Sequence, residues 1–291
     1  MLDVRRLRLL RELAHRGTIA AVAEALSFSP SAVSQQLSVL ERETGVSLLK
    51  RAGRRVALTP AGQNLVRHAE DVLERLERAD AELAAVRAGF AGPVRIGSYP
   101  SATRAIVPAA LASLAREHPA LEARVTDADP AGVAAALRAG ELDLALVHEY
   151  DFVPADPQPG LTGRELFAEP MYLAARTPSS LVDHDTSPWI MAPPGTLCRT
   201  MTERACQAAG FTPHIRHEVD DFTTVLALVA LGQGVALVPH LGVTAPPPGL
   251  NLTRLPMSRR TRTVHRAGAA NHPAVATITA ALRMAVPPEL Q

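Results

Sequence analysis

Between Leu65 and Val86 the apolar residues Leu65, Ala69, Val72, Leu76, Ala79, Leu83 and Val86 alternate spacings of four and three without a break. Two apolar positions in every seven make a heptad seam, and no other feature constrains the chain as much. The intervening faces carry Glu70, Asp71, Glu74, Arg75, Glu77, Arg78 and Asp80, so the stretch predicts a long helix from Thr59 or Pro60 to about Gly89. A lone helix would leave that stripe in water. A helix facing its own core usually shows a wider apolar face, so the seam predicts pairing with a second copy of the chain. Phe90-Ala91-Gly92-Pro93 breaks the helix and divides the chain. The expected organisation is a first module over 1–62, a coiled linker over 63–89 and a larger unit over 93–291.

Charge separates the parts further. The net charge of +1 over 291 residues conceals ten basic side chains among residues 1–65 (Arg5, Arg6, Arg8, Arg11, Arg16, Arg42, Lys50, Arg51, Arg54, Arg55) against Asp3, Glu12, Glu24, Glu41 and Glu43. The remaining segments are both slightly acidic. A polyanion partner is therefore indicated for the first module alone.

That module reads as helical. Leu7, Leu10 and Leu13 or Ala14 recur at helical spacing up to Gly17. Thr18 is a good N-cap for a short helix from Ile19 to Leu26, which carries Val22, Ala23 and Leu26 inward. Ser29 caps a third helix with Pro30 at its first position, where a missing N–H costs nothing. Ala32, Val33, Leu37 and Leu40 form its buried stripe. Its other face shows Ser31, Ser34, Gln35, Gln36 and Ser38, short uncharged side chains suited to base edges in a major groove. Two short helices joined by a tight turn form a helix-turn-helix. Lys50-Arg51-Ala52-Gly53-Arg54-Arg55 then reads as a glycine-tipped basic hairpin, a wing that would grip phosphates. Thr18, Ser29, Pro30, Ser31, Ser34, Gln35, Gln36, Ser38, Lys50, Arg51, Arg54 and Arg55 are the candidate DNA contacts.

The order Ala23-Glu24, Leu26, Ser29-Pro30-Ser31-Ala32-Val33-Ser34-Gln35, Leu40-Glu41, Gly45, Leu48-Leu49, Arg51 and Leu58-Thr59-Pro60-Ala61-Gly62 resembles the LysR-type transcriptional regulators. The match is dense across the first 65 residues and looser beyond. Val22 stands where that family usually has alanine and Leu49 where it usually has phenylalanine, changes of packing rather than role. The resemblance implies binding to a double-stranded DNA operator, homodimers or dimers of dimers, and an effector domain like periplasmic binding proteins. It also implies that the chain crosses between two lobes near 163–168 and 260–267, giving lobe I as about 93–165 plus 265–291 and lobe II as about 166–264.

From Pro93 onward the pattern alternates strands and helices, which predicts open α/β sheets with a mostly parallel core. The strands read are Val94–Gly97, Leu121–Thr126, Leu142–Val147, Leu166–Ala175, Trp189–Met191, Ile215–Val219 and Val235–Val238. Helices are expected from about Thr103 to His118 and over Pro130–Ala139, Leu197–Ala209, Phe222–Leu231 and Ala274–Met284. Small molecules bind beyond the carboxyl ends of such strands, where helix N-termini project free N–H groups. The rule selects Ser98, Pro100, Ser101, Thr103, Thr196, Leu197, Cys198, Arg199, Phe222, Thr223 and Pro239. With Arg104 or Arg199 nearby, an anionic or zwitterionic effector is expected.

Other classes find less support. The chain contains no G-x-S-x-G, P-loop, G-x-G-x-x-G or H-E-x-x-H motif, so neither catalysis nor a cofactor is expected. His214 and His217, three apart in a strand, would face opposite sides and chelate no metal together. Two cysteines cannot staple a chain of this length, which suits a reducing cytoplasm. No apolar run approaches the ~18 residues of a membrane span. The alternative reading is a thiol redox sensor, with Cys198 at a helix N-terminus that would lower its pKa. Peroxide-sensing LysR-type proteins use two cysteines in this region, but the one after Gly195 is displaced here by a residue from their pattern.

Overall fold

The computed structural model describes residues 1–52, 55–86, 92–154 and 157–290, with backbone alone at 51, 52 and 55. Arg54, the side chains of Arg51 and Arg55, and the expected helix break at Phe90-Ala91 lie outside the described residues.

Three helices build the first module, α1 (Val4–Arg16), α2 (Ile19–Ala25) and α3 (Pro30–Thr44). Each begins where a side chain accepts a free N–H. Asp3 caps α1, Thr18 accepts from the Ala21 amide at 3.2 Å, and Ser29 accepts from the Ala32 amide at 3.2 Å. Leu7, Leu10, Leu13, Val22, Val33, Leu37 and Leu40 close a common core. The wing strands β1 (Leu49–Ala52) and β2 (Arg55–Leu58) pair antiparallel with Leu49 opposite Leu58. Glu41 on α3 anchors the wing, accepting from the Leu48 and Leu49 amides at 2.9 and 3.0 Å.

The linker is α4 (Pro60–Val86). Gly62 is required near its start, because a Cβ there would lie 2.2 Å from the Leu48 carbonyl oxygen. The seam divides. Leu65 and Ala69 pack into the core of the first module, Ala69 fully buried, so these two positions are corrected from pairing residues to core residues. Val72, Leu76, Ala79, Leu83 and Val86 stay exposed. A neighbouring face of α4, at Glu74 and Glu77, packs on the turn Ala267–Asn271, where a Cβ on Gly268 would meet the Glu74 carbonyl at 2.5 Å.

The larger unit follows as β3 (Val94–Ser98), α5 (Pro100–Ala105), α6 (Val107–Glu117), β4 (Ala123–Asp127), α7 (Pro130–Ala139), β5 (Leu144–Tyr150) and β6 (Leu161–Ala175). It continues with β7 (Pro188–Met191), α8 (Leu197–Ala208), β8 (His214–Glu218), α9 (Phe222–Ala230), β9 (Ala236–Pro239), β10 (Asn251–Arg266) and α10 (Pro273–Met284). A six-stranded sheet runs β4-β3-β5-β10-β6-β9, and β7 pairs with β8. One core, around Ile96, Ile106, Leu144 and Ile278, lies on the β3–β5 side. Further cores around Trp189 and Met201, and around Ile190 and Leu226, lie on the other.

Two expectations need correction. The sheet is not mostly parallel: β3 runs parallel to β4 and β5, and β7 to β8, but β10 runs against both β5 and β6, and β6 against β9. The strand β10 is not among the strands expected from the sequence. Its inward positions alternate Leu255, Met257, Arg259, Thr261 and Thr263, so polar residues on the buried face hid the period of two. The single helix expected from Thr103 to His118 is also two, α5 and α6, divided at Ile106.

Candidate nucleic-acid face and interlobe cleft

On α3 the buried stripe leaves Ser31, Ser34, Gln35 and Ser38 exposed along one face, with Ser29 and Pro30 at its start. The Ser29 and Ser31 hydroxyls are 3.0 Å apart. Lys50 on the wing is exposed as well, and Thr18 is an exposed cap. Gln36 is different: its side chain is half-buried and accepts from Arg6 Nε at 2.9 Å, so it is turned toward α1 and away from the open face. Arg6 also pairs with Glu43. The basic count of the module overstates its outward charge, since Arg8, Arg11 and Arg16 donate to carbonyls of α7 in the larger unit.

The second feature is a cleft of about 410 Å³ between the two sets of cores. The end of β3 and start of α5 supply Tyr99, Pro100 and Ser101, and the start of α8 supplies Thr196, Leu197 and Cys198. Phe222 opens α9 on a third side. At the base lies Arg259, 2% exposed, whose Nε donates to Glu169 at 2.7 Å and whose Nη2 donates to Ser101 Oγ at 2.9 Å. Its guanidinium also stacks 4.9 Å above the Tyr99 ring. Glu169 completes its own bonding by accepting from the Leu241 amide at 2.7 Å, so this buried ion pair is satisfied on both sides. The Tyr99 hydroxyl is 2.5 Å from Thr261 Oγ1, and burial pushes its pKa up to about 12. His148 stands edge-on between Tyr99 and Tyr150, with centroids 4.6 and 5.2 Å away. Burial, helped by Arg259, holds its pKa well below the ordinary histidine value, so the ring is neutral at pH 7.

The mouth has the opposite sign. Asp127, Asp129, Asp220 and Asp221 line it beside Arg104. Partial burial and the nearby Asp129 and Asp221 carboxylates raise the Asp220 pKa, so carboxylates of both lobes feel one another across the gap.

Several expected effector residues fall outside the cleft lining. Ser98 is buried behind it, and Pro239 sits in β9 opposite Met171. Thr103 bonds the Tyr99 carbonyl at 3.2 Å, and Thr223 accepts from Arg104 at 3.2 Å. Arg199 is held by Glu203 and Glu218 at 2.5 and 3.2 Å and turns away. Pro100, Ser101, Thr196, Leu197, Cys198 and Phe222 do line the cleft. Tyr99, in the loop after the first strand that the same rule selects, lines the cleft too, whereas His148, Tyr150, Arg259 and the four aspartates are not among the expected positions. The strand-end rule would have reached Asp127 and Asp129 if applied to the end of β4. Arg259 gave no such signal, being mid-strand in an unread element.

The thiol expectation is reversed by the surroundings of Cys198. Burial pushes its pKa up to about 11, although Arg259 and the hydrogen-bonded Tyr150 work in the other direction. Cys206 is pushed up to about 12, chiefly by burial, and both cysteines are free. In β8, His214 and His217 fall on opposite faces of the alternating strand.

Comparison with known proteins gives two family matches that together span most of the chain. "Bacterial regulatory helix-turn-helix protein, lysR family" matches residues 4–63, and "LysR substrate binding domain" matches residues 87–287. The chain is 29% identical over 247 residues to the transcriptional dual regulator GltC of Bacillus subtilis, covering 82% of this chain and 81% of that protein. It is 30% identical over 258 residues to a probable hydrogen peroxide-inducible genes activator of Streptomyces viridosporus, covering 82% and 81%. Its fold is similar to that of full-length CbnR complexed with its target DNA, with a TM-score of 0.53 at 23% identity over 98% of this chain and 100% of that one.

Proposed function

The chain belongs to the LysR family of bacterial transcriptional regulators, and from that premise we propose that a small zwitterionic metabolite held between its lobes sets how paired reading heads meet an operator. It is a DNA-binding regulator with an effector-binding domain, not an enzyme. The observation that carries the ligand class is the opposed polarity of the cleft. The Ser101 hydroxyl and the free amides opening α8 favour an acid group, while Asp127, Asp129, Asp220 and Asp221 at the mouth favour a cation. A simple anion would meet four carboxylates there against the single cation Arg104.

The reading face is Ser31, Ser34, Gln35 and Ser38, with Lys50, Arg51, Arg54 and Arg55 steadying it on phosphate. The exposed part of the seam, from Val72 to Val86, supports a dimer that sets two such faces on two half-sites. Dimers of dimers extend the same reading to longer operators. Peroxide response, which the Streptomyces viridosporus relative's name carries, has little support here, because a thiol protonated near neutral pH is a poor nucleophile.

Thermal-shift titration of the full-length protein with matched amino acids, dicarboxylates and diamines tests the ligand class. Amino acids should raise the melting temperature in a concentration-dependent way. Stabilisation by dicarboxylates alone, or by diamines alone, would reject the zwitterion.

A further inference from the structure

The C-terminal end of α7 is gripped from outside its own lobe. Arg16 Nη2 donates to the Ala135 carbonyl at 3.1 Å, Arg11 Nη2 to that of Arg138 at 3.0 Å, and Arg8 Nη2 to that of Ala139 at 2.6 Å. All three donors belong to α1, whose opposite side packs in the core of the DNA-reading module. The Arg138 and Ala139 carbonyls lie in the last turn, have no i+4 partner within the helix and carry the negative end of its dipole, so guanidinium groups are their natural complement, while Arg16 adds a second bond to the Ala135 carbonyl one turn earlier. Arg11 is 5% exposed and bonded to a fully buried Glu12, which makes this contact part of the packed interior.

The other end of the same helix is at the cleft. Asp129 is the N-cap of α7, accepting from the Ala131 amide at 3.0 Å, and both Asp129 and Pro130 line the cavity. One helix of ten residues, about 15 Å long, thus has its first turn in the effector site and its last turn in the hands of the DNA-reading module.

We infer that α7 is a direct mechanical link within one subunit, through which events at the cleft reposition α1 and with it the reading helix α3. The inference rests on the ligand-responsive reading above and adds the route. A bound group that draws Asp129 toward Asp220 shifts α7 along or about its axis, and the arginine contacts oblige α1 to follow or to break. Such a link is physical only if both ends bias the same equilibrium. The paired helices of a dimer are not needed for it.

A double-mutant cycle on the full-length chain tests it. Asp129→Ala removes the cap at the cleft end, and Asp129→Ser retains one. Arg8→Ala with Arg16→Ala removes two of the three grips at the far end, leaving only the buried Arg11 contact. The DNA readout is fluorescence anisotropy on a duplex selected by the native chain from a random library. Asp129→Ala should change its Kd about threefold or more in the native background, and Asp129→Ser much less. In that doubly substituted background the Asp129→Ala effect should shrink to well under half its native size. An equal change in both backgrounds, or none in the native one, overturns the link. Hydrogen exchange of α1 amides, which needs no DNA, reads the same cycle: faster exchange in Asp129→Ala supports the link, and unchanged exchange in a folded protein overturns it. If the double arginine variant does not fold, Arg16→Ala alone should weaken the coupling, and full coupling in it would count against the inference. A chain that selects no duplex while α1 still responds would reject the regulator reading and leave the link standing.

Discussion

Arg259 carries a full charge in a place nearly closed to solvent and keeps it because Glu169, Ser101 and the Tyr99 ring surround it. Replacing it by methionine leaves Glu169 buried without its partner, and such a change costs about 3–5 kcal/mol. Urea unfolding should register that loss, while Arg259→Met with Glu169→Leu should recover most of it. At Cys198 the prediction concerns pH. With a thiol pKa near 11, alkylation by iodoacetamide should be slow at pH 8 and rise about tenfold per pH unit until the thiol titrates. A rate already at its plateau by pH 8 would contradict the raised thiol pKa. On the reading face, Gln35→Ala should weaken binding to the selected duplex by about 1–3 kcal/mol and relax sequence preference. Normal affinity and preference would show that another side chain reads the bases.

Among elements, α4 does two jobs at once, and its seam is partitioned accordingly. Leu65 and Ala69 hold the helix to the first module, and Val72, Leu76, Ala79, Leu83 and Val86 remain for a partner. Leu76→Asp with Leu83→Asp should therefore leave the fold intact and convert the protein to a monomer in sedimentation at micromolar concentration. DNA affinity should fall with it, since one reading head loses the benefit of two half-sites. A dimer surviving both charges would place the interface elsewhere.

For the whole molecule, legibility in the sequence follows how local the determinant is. The helices of the first module stand where Thr18, Ser29, Pro30 and Gly45 place their ends, because caps act within a turn. The cleft is half legible: the loop after the first strand and the helix starts at Leu197 and Phe222 follow from local signals, whereas Tyr150 and Arg259 arrive there through strand pairing across the lobes. The heptad pattern was real, but it could not say that its first two residues would be claimed by the chain's own core. Nor could ten basic residues reveal that three of them face a helix instead of a phosphate. Arginine looks alike in either setting until tertiary structure gives it a carbonyl.

Because β6 and β10 run without interruption through both lobes as central members of one sheet, the lobes have no flexible strap on which to swing apart. Any gaping of the cleft must flex two hydrogen-bonded ribbons across their middles, and the register irregularities between Arg254 and Ser258 and between Thr261 and Arg262 are where that ladder yields most readily. On the proposed reading, an occupant of the cleft would impose small torsions on a stiff frame instead of a wide jaw movement, and a few degrees at one end of the 27-residue α4 rod would become ångströms at the other.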